Sequence, residues 1–234
     1  LAESSKALIL TGGIFHPFAE SSAALAGILR ELGLEADIRM DVESALGDLA
    51  RGQYRLLVVN ALRWRMLDHE KYIPFRAEWA MSLSLAGRQA IVDFVHGGGG
   101  LLGLHTASIC FDDWPQWGEV LGVRWRWGCS FHPPLGPVQV KVNREAHVVT
   151  RNVTDFELED EVYQKLELAG DAVALATASV AGEDAAHPVI WAHRYGRGRV
   201  IYDALGHDAA SLQQPPHAQF MHQACEWILK GEEA

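Results

Sequence analysis

The chemistry this chain could perform is most visible in the stretch GGGGLLGLHTASICF, residues 97–111. A glycine-loaded turn leads into a short apolar strand, a sharp turn and the start of a helix. That layout usually presents a nucleophile as Gly-x-Nuc-x-Gly. Here the middle of Gly103-Leu104-His105-Thr106-Ala107 is an imidazole, not a hydroxyl or a thiol. Histidine at such a turn can move protons near neutral pH, ligate a transition metal, or stand where a nucleophile has been replaced. Other segments offer matching chemistry. His16 lies in TGGIFHPF, and His207 with Asp208 lies in DALGHD. EDEVY (159–163) supplies Asp160, Glu161 and Tyr163. A carboxylate held near histidines can serve as general acid or base once burial raises its pKa; taken alone, the same segment reads as a solvated acidic turn.

Other groups carry weaker signals. The glycine run precedes its strand, whereas a dinucleotide fingerprint lies between strand and helix, and TGGIFHPF has neither Gly-x-Gly-x-x-Gly nor a P-loop lysine. No nucleotide is expected. Cys110 follows the turn on the expected helix and reads as packed core. Cys129, in CSFH with His132 three residues on, could form a Cys/His pair, but a half-buried thiol is the plainer reading. Eight tryptophans are many for this length. Trp64 follows an apolar strand, and Trp114, Trp117, Trp125 and Trp127 cluster behind the turn, with Trp125 and Trp127 on one strand face. Aromatic rings stack on the apolar faces of sugars while polar neighbours bind the hydroxyls; the competing use is filling a core. Of the 11 histidines, His69, His147, His217 and His222 sit in polar surroundings and read as solvated. His187 and His193 would share one face of a hairpin arm.

The elements that must position these groups follow from periodicity. KALILTGG (6–13) is an apolar strand, ESSAALAGILRELG (20–33) a helix with a glycine stop, EADIRM (35–40) a strand, VESALGDLARG a short helix and YRLLVVN (54–60) a third strand. Such alternation predicts right-handed βαβ units in a parallel sheet covered on both faces. Residues 61–84 break the period and read as an excursion usable as an interface between copies or as a lid. LAGRQAIVDFVH restores a helix with Leu85, Ile91, Val92 and Val95 on its apolar face. GLLGLH is the fourth strand, DDWPQWGEVLG a helix, and VRWRWG alternates. LGPVQVKV (135–142) is a strand whose partner cannot be read, and DAVALATASV is another. HPVIWAHRYGRGRVIYDAL is a β-hairpin around Gly196-Arg197-Gly198, and QFMHQACEWILKG a closing helix. In parallel sheets ligands bind outside the carboxyl ends of strands. His16, Asn60, Arg63, Trp64, Arg65, His105, His207 and Asp208 all fall there.

The 234 residues suit one α/β domain, 1–234, with no repeat or linker. A net charge of −10 disfavours nucleic acid, because an acidic chain repels a phosphate backbone. No apolar run approaches the roughly 20 residues needed to span a bilayer. Three scattered cysteines argue against a disulfide framework. With no basic, apolar leader pattern at the start, a cytoplasmic location is expected; a chain beginning at Leu1 leaves secretion open.

Taken together, GGGLLGLHTA, the isolated His132 before LGPVQVKV, FELEDEVY, HPVIWAHRYGRGRVIYDALGHD and the closing WIL helix resemble the ThuA-like trehalose-utilisation family, in order over nearly the whole chain. That family is similar in fold to class I glutamine amidotransferase-like domains. The resemblance implies a flavodoxin-like three-layer sandwich around a mostly parallel sheet, here with an added β-hairpin. In amidotransferases the turn residue is Cys, completed by a downstream His and Glu. His105 takes the Cys position and His207-Asp208 falls near the His, so glutaminase activity should be absent. The resemblance further implies processing of a disaccharide or glycoside, or its keto derivative, with a small carbohydrate as partner. A non-catalytic sugar-binding module on the same scaffold is the alternative. In the enzyme reading His105, His207, Asp208 and Glu161 are the catalytic candidates, while His16, Trp64, Trp114, Trp125 and Tyr163 would bind substrate. His105, His132 and His207 are the expected ligands should a divalent transition metal such as Zn be present, with Asp208 or Glu161 orienting or completing the set and His16 as a fourth candidate. Ligand and base are both compatible with these residue types.

Overall fold

The computed structural model describes residues 5–180 and 185–230. Its first half follows the expected alternation: β1 (Ser5–Gly12), α1 (Phe18–Glu31), β2 (Leu34–Arg39), α2 (Val42–Leu49) and β3 (Tyr54–Ala61). Ala7–Leu10 and Leu56–Val59 are fully buried, as strands covered on both faces must be. Each such Leu or Ile contributes roughly 1.5–3 kcal/mol by leaving water. α2 begins where the Asp41 carboxylate accepts the Ser44 N–H at 3.2 Å, satisfying one of the amide donors orphaned at a helix start.

The excursion after β3 carries a 3-10 turn (Glu70–Phe75) and a single-turn α3 (Arg76–Trp79). It folds over a second apolar cluster of Ile14, Phe18, Leu62, Trp64 and Met66. α4 (Leu85–His96) and β4 (Gly100–Leu104) follow. Leu85, expected on the apolar face of α4, is 83% exposed. It is the first residue after the Ser84 cap, whose hydroxyl accepts the Gly87 N–H, and the buried face starts at Gly87 and Ile91. Beyond β4 comes a 3-10 turn (His105–Ile109) rather than the expected helix, leaving Cys110 in extended backbone at its end.

The rest of the chain runs α5 (Gln116–Leu121), β5 (Val123–Arg124), β6 (Gly136–Val142), β7 (Phe156–Asp160), β8 (Glu167–Leu168), β9 (Val173–Val180), β10 (His187–Tyr195), β11 (Gly198–Asp203), α6 (Ala209–Gln213) and α7 (Pro215–Lys230). The strand expected over VRWRWG stops at Arg124, so Trp125 and Trp127 do not share a strand face.

One sheet of nine strands runs β2-β1-β3-β4-β11-β10-β9-β6-β7. The first five are parallel and the remainder antiparallel. The order 2-1-3-4-11 is that of a flavodoxin-like sheet. The hairpin is no appendage: β11 pairs in parallel with β4, and β10 carries the sheet on into its antiparallel half. β6, whose partner could not be read, lies between β7 and β9. Helices α1, α6 and α7 pack together in one layer, α2 and α4 in another. No helix among the described residues is long and apolar enough to cross a membrane.

The glycine run is explained by packing on β4. A Cβ on Gly100 would collide with Ile228 Cγ2 of α7, and one on Gly103 with Leu121 Cδ1 of α5. The two glycines let helices approach opposite faces of the central strand.

Candidate functional site

The carboxyl ends of β1, β4, β11 and β7 supply His16, His105, His207 and Glu161. In a flat sheet β7 would stand roughly 19 Å from β11, four strand spacings away. Instead the antiparallel half curls back, so that Asp160 at the end of β7 accepts the Gly206 N–H beyond β11 at 2.8 Å. Gln214 of the segment between α6 and α7 donates to the Glu157 carbonyl at 3.2 Å.

His105 sits at the turn with φ +44°, the left-handed backbone that a non-glycine residue adopts only when its surroundings hold it there. Those surroundings are specific. Tyr202 donates to the His105 carbonyl at 2.6 Å, and Thr106 donates to the Ala61 carbonyl at 2.6 Å. The ring is anchored too: Nδ1–H donates to the Ala204 carbonyl at 2.7 Å, so Nε2 faces inward. His16 is held in the same manner, its Nδ1 lying 3.2 Å from the Ile14 carbonyl.

The inward atoms meet at Glu161. Its Oε2 is 3.3 Å from His105 Nε2, 3.8 Å from His16 Nε2 and 3.4 Å from His132 Nδ1, while Oε1 is 3.9 Å from His207 Nε2. Ring centroids of His16, His105 and His207 lie 4.7–5.5 Å apart. His16 Nε2, His207 Nδ1 and Glu161 Oε2 are buried without an aligned hydrogen bond. Burial alone would raise the Glu161 pKa, but His105, His16 and His132 hold it well below the usual carboxylate range. Burial likewise opposes charge on His105, yet Glu161, Asp160 and the Ala204 carbonyl outweigh it and raise its pKa. His207 is pushed down by its own burial and then by His105 and His16.

A chain of aromatic contacts runs from one side of this cluster to the other. Starting beside His16, Phe15 contacts Tyr72 (6.4 Å between centroids), Tyr72 contacts Trp64 (5.0 Å), and Trp64 stacks under Trp127 (6.2 Å). Trp127 contacts Trp125 (6.2 Å), Trp125 contacts Tyr163 (5.2 Å), and Tyr163 lies against His105 (4.6 Å). Phe15 is 63% exposed and Trp127 40%, so these two present free aromatic surface. Trp64 is buried and its indole N–H donates to Asp68 at 2.8 Å.

Of the residues singled out by sequence, His16, His105, His207, Glu161, Tyr163 and Trp125 come together, with His132 at the outer edge stacked on Tyr163. Others are placed elsewhere. Asp208 caps α6, its carboxylate accepting the Ser211 N–H at 2.9 Å. Trp114 is core, stacked on Trp117, and Trp64 supports the rim from below. Asn60 is buried with its amide on Ser21 and Ser22 of α1, and Arg63 donates to the Met40 carbonyl beneath Trp79. His217, expected to be solvated, is fully buried and paired with Asp203 at 2.7 Å. EDEVY is no solvated turn, since Asp160 is 1% exposed. Cys110 is buried, its thiol donating to the Ala61 carbonyl, and burial pushes its pKa up to about 12.

Asp160, noted in EDEVY but not among the expected site residues, carries a signal of its own. Alternation along β7 puts Phe156, Leu158 and Asp160 on one inward face. Its Oδ1 accepts the Glu161 N–H at 2.7 Å and lies 4.0 Å from His105 Nδ1. Its Oδ2 receives the Ser211 hydroxyl at 2.5 Å. One buried carboxylate thus ties three parts of the site together.

Sheet order and site location define a flavodoxin-like α/β protein in which three histidines and Glu161 gather at strand carboxyl ends. More narrowly, the chain belongs to the ThuA family, described as trehalose utilisation, whose profile matches residues 6–228. Among solved structures it is similar to a ThuA-like protein from Parabacteroides merdae ATCC 43184, with 19% identity over 97% of this chain and 90% of that one, at TM-score 0.76. A ThuA-like protein from Bacteroides uniformis ATCC 8492 aligns with 21% identity over 100% and 95% of the two chains, TM-score 0.69. A protein of Salmonella typhimurium LT2 described as cytoplasmic aligns with 19% identity over 96% and 97%, TM-score 0.61. At such identities the likeness is one of fold. No curated protein sequence matches the chain.

Proposed function

We propose that the protein is a carbohydrate-processing enzyme acting on a disaccharide or glycoside, or its keto derivative, and lacking glutaminase activity. The observation that carries this reading is the chain of aromatic contacts from Phe15 through Trp127 to Tyr163, which begins beside His16 and ends against His105 of the histidine–carboxylate cluster. A pyranose has apolar faces and a polar rim. Exposed aromatic faces near convergent polar groups are the combination that orients such a ligand. The family description, trehalose utilisation, supports the same substrate class.

Within the cluster, His207 is more accessible than His16 and His105, and with its lowered pKa it is the group suited to taking a proton from substrate. His16, His105 and Glu161 lie deeper and would polarise a hydroxyl or carbonyl oxygen as charge develops on it. An imidazole stands where a thiolate would be needed for an acyl-enzyme, and Cys110 is locked in the core. The free cysteines fit a reducing, cytoplasmic compartment.

Trehalose, other disaccharides and their keto derivatives, screened by NMR for turnover and by tryptophan fluorescence for binding, test the reading. Turnover that disappears in His207→Ala while fluorescence still reports binding supports the enzyme. Binding without turnover by the wild type favours the sugar-binding module. Absence of both for every sugar overturns the carbohydrate assignment.

A further inference from the structure

We infer that His16, His105 and Glu161 form a binding site for one divalent transition-metal ion of the zinc type, with its open position facing His207. One ligand atom from each of the three residues lies within 4.8 Å of the others. Tetrahedral coordination with metal–ligand bonds of about 2.0–2.2 Å puts ligand atoms roughly 3.3–3.6 Å apart. The observed 3.3 Å from His105 Nε2 to Glu161 Oε2 and 3.8 Å from His16 Nε2 are already near that spacing.

Three further observations distinguish this from a chance cluster of polar groups. Both histidines have Nδ1 against a backbone carbonyl, Ala204 for His105 and Ile14 for His16. That arrangement fixes the tautomer whose Nε2 lone pair points inward, the usual outer support of a metal-bound histidine. His16 Nε2 and Glu161 Oε2 are buried without an aligned hydrogen bond among the described residues, a deficit that a coordinated ion removes. Finally, Asp160 lies behind the set, fixing the Glu161 backbone and standing beside His105 Nδ1.

Two imidazoles and a carboxylate with one position free make up a donor set used in catalytic zinc sites. Of the trio expected from sequence this set keeps His105, and it takes the further candidates His16 and Glu161 in place of His132 and His207. His132 turns its Nδ1 to the Pro133 carbonyl at 2.9 Å and sits at the solvent edge, 36% exposed at its side chain. His207 faces the other carboxylate oxygen and remains available to substrate. The site is argued from its own atoms; only its use in sugar chemistry rests on the preceding reading, where a bound cation would polarise a substrate oxygen.

The test is calorimetric titration of chelator-stripped protein with ZnCl2, together with elemental analysis after dialysis. One ion per chain is expected. Glu161→Gln and His16→Asn should each weaken binding by about tenfold or more, since each deletes a ligand, whereas His132→Ala should change it by less than about threefold. Circular dichroism of each variant checks folding, and if one unfolds the other decides. In the wild type, zinc should shift the Nε2 resonances of His16 and His105 and leave their Nδ1 protonated. No stoichiometric binding, wild-type affinity in both ligand variants, or unshifted His16 and His105 signals overturns the site. Zinc bound there without any sugar turnover keeps this site and removes the enzyme reading; sugar turnover in a protein that binds no zinc does the reverse.

Discussion

Two histidine–carboxylate clusters lie side by side at the carboxyl end of the sheet, and they differ in whether their polar atoms are satisfied. In the inner one, His217 gives Nε2–H to Asp203 at 2.7 Å and has Nδ1 2.8 Å from the Ser211 carbonyl. Asp203 also accepts the Leu205 N–H at 2.9 Å. In the outer one, His16 Nε2, His207 Nδ1 and Glu161 Oε2 lack such partners. A buried polar group without a partner costs about 1–3 kcal/mol. The inner cluster has removed that cost internally; the outer keeps it, as sites poised for a ligand do. The same residue types therefore pair with one another in one place and leave buried polar atoms unpaired in the other, with Asp160 between them.

The sharpest way to break this comparison is to delete one carboxylate of the inner cluster. Asp203→Ala leaves His217 buried without its counter-charge, and should cost roughly 3–5 kcal/mol in urea unfolding followed by circular dichroism. His207→Ala, from the outer cluster, should change stability by less than about 1 kcal/mol while removing turnover. Equal losses in the two variants would erase the distinction.

The tryptophans allow a parallel contrast. Trp64 is 1% exposed beneath Trp127, so Trp64→Ala should destabilise by about 3 kcal/mol or more. Trp127→Ala should leave the melting curve close to wild type but weaken sugar binding about fivefold, read by fluorescence titration or calorimetry. A Trp127 variant that unfolds but binds sugar normally would make the rim structural.

Much of the fold was legible because its signals are local. Apolar runs capped by glycine gave β1 to β4 and their helices, and strand ends gave His16, His105 and His207. The pairing of β6 with β7 and β9 was not legible, since nothing in a strand's own residues states which remote edge it meets. Faces were equally hidden where no regular period exists. Trp114 and Trp127 have similar flanks, yet one fills the core and the other stands at the rim. His217 was misjudged because the segment QQPPHAQ is polar, although the helical face it starts carries Phe220, Met221 and Ala224 into the core. Glu161 could be named as a catalytic candidate, but its meeting with His16, His105 and His132 could not be read; it takes the curl of the sheet to bring β7 against the loop after β11.

Titration sharpens the comparison further. Burial disfavours charge on His217, but the Asp203 carboxylate, the Ser211 carbonyl and the more distant Asp160 outweigh it, so its folded pKa lies above the ordinary value. Phe156 stacks on the ring and brings no charge. A raised folded pKa stabilises fully below the unfolded value, about 6.5, and that stabilisation is lost as pH rises through the folded pKa. With chelator present, unfolding free energy should therefore fall above about pH 6.5, by at most about 1.4 kcal/mol per pH unit from this group. His105 is raised in the same direction, so His217→Gln should flatten only part of the slope and a His105 variant the remainder. An unchanged slope in His217→Gln would mean that the inner pair does not titrate on folding.

Asp208 is the smallest effect and the most direct check on where the outer cluster ends. It directly follows His207, but its carboxylate is turned to the Ser211 N–H, and Ser211 in turn donates to Asp160. Loss of a helix cap costs about 1 kcal/mol. Asp208→Ala should therefore lower stability by that amount while leaving zinc affinity and sugar turnover within about twofold of wild type. Asp208→Asn, which retains the capping oxygen, should restore most of the stability. A tenfold fall in turnover for both variants would instead place the Asp208 charge among the reacting groups, and would extend the outer cluster one residue beyond His207.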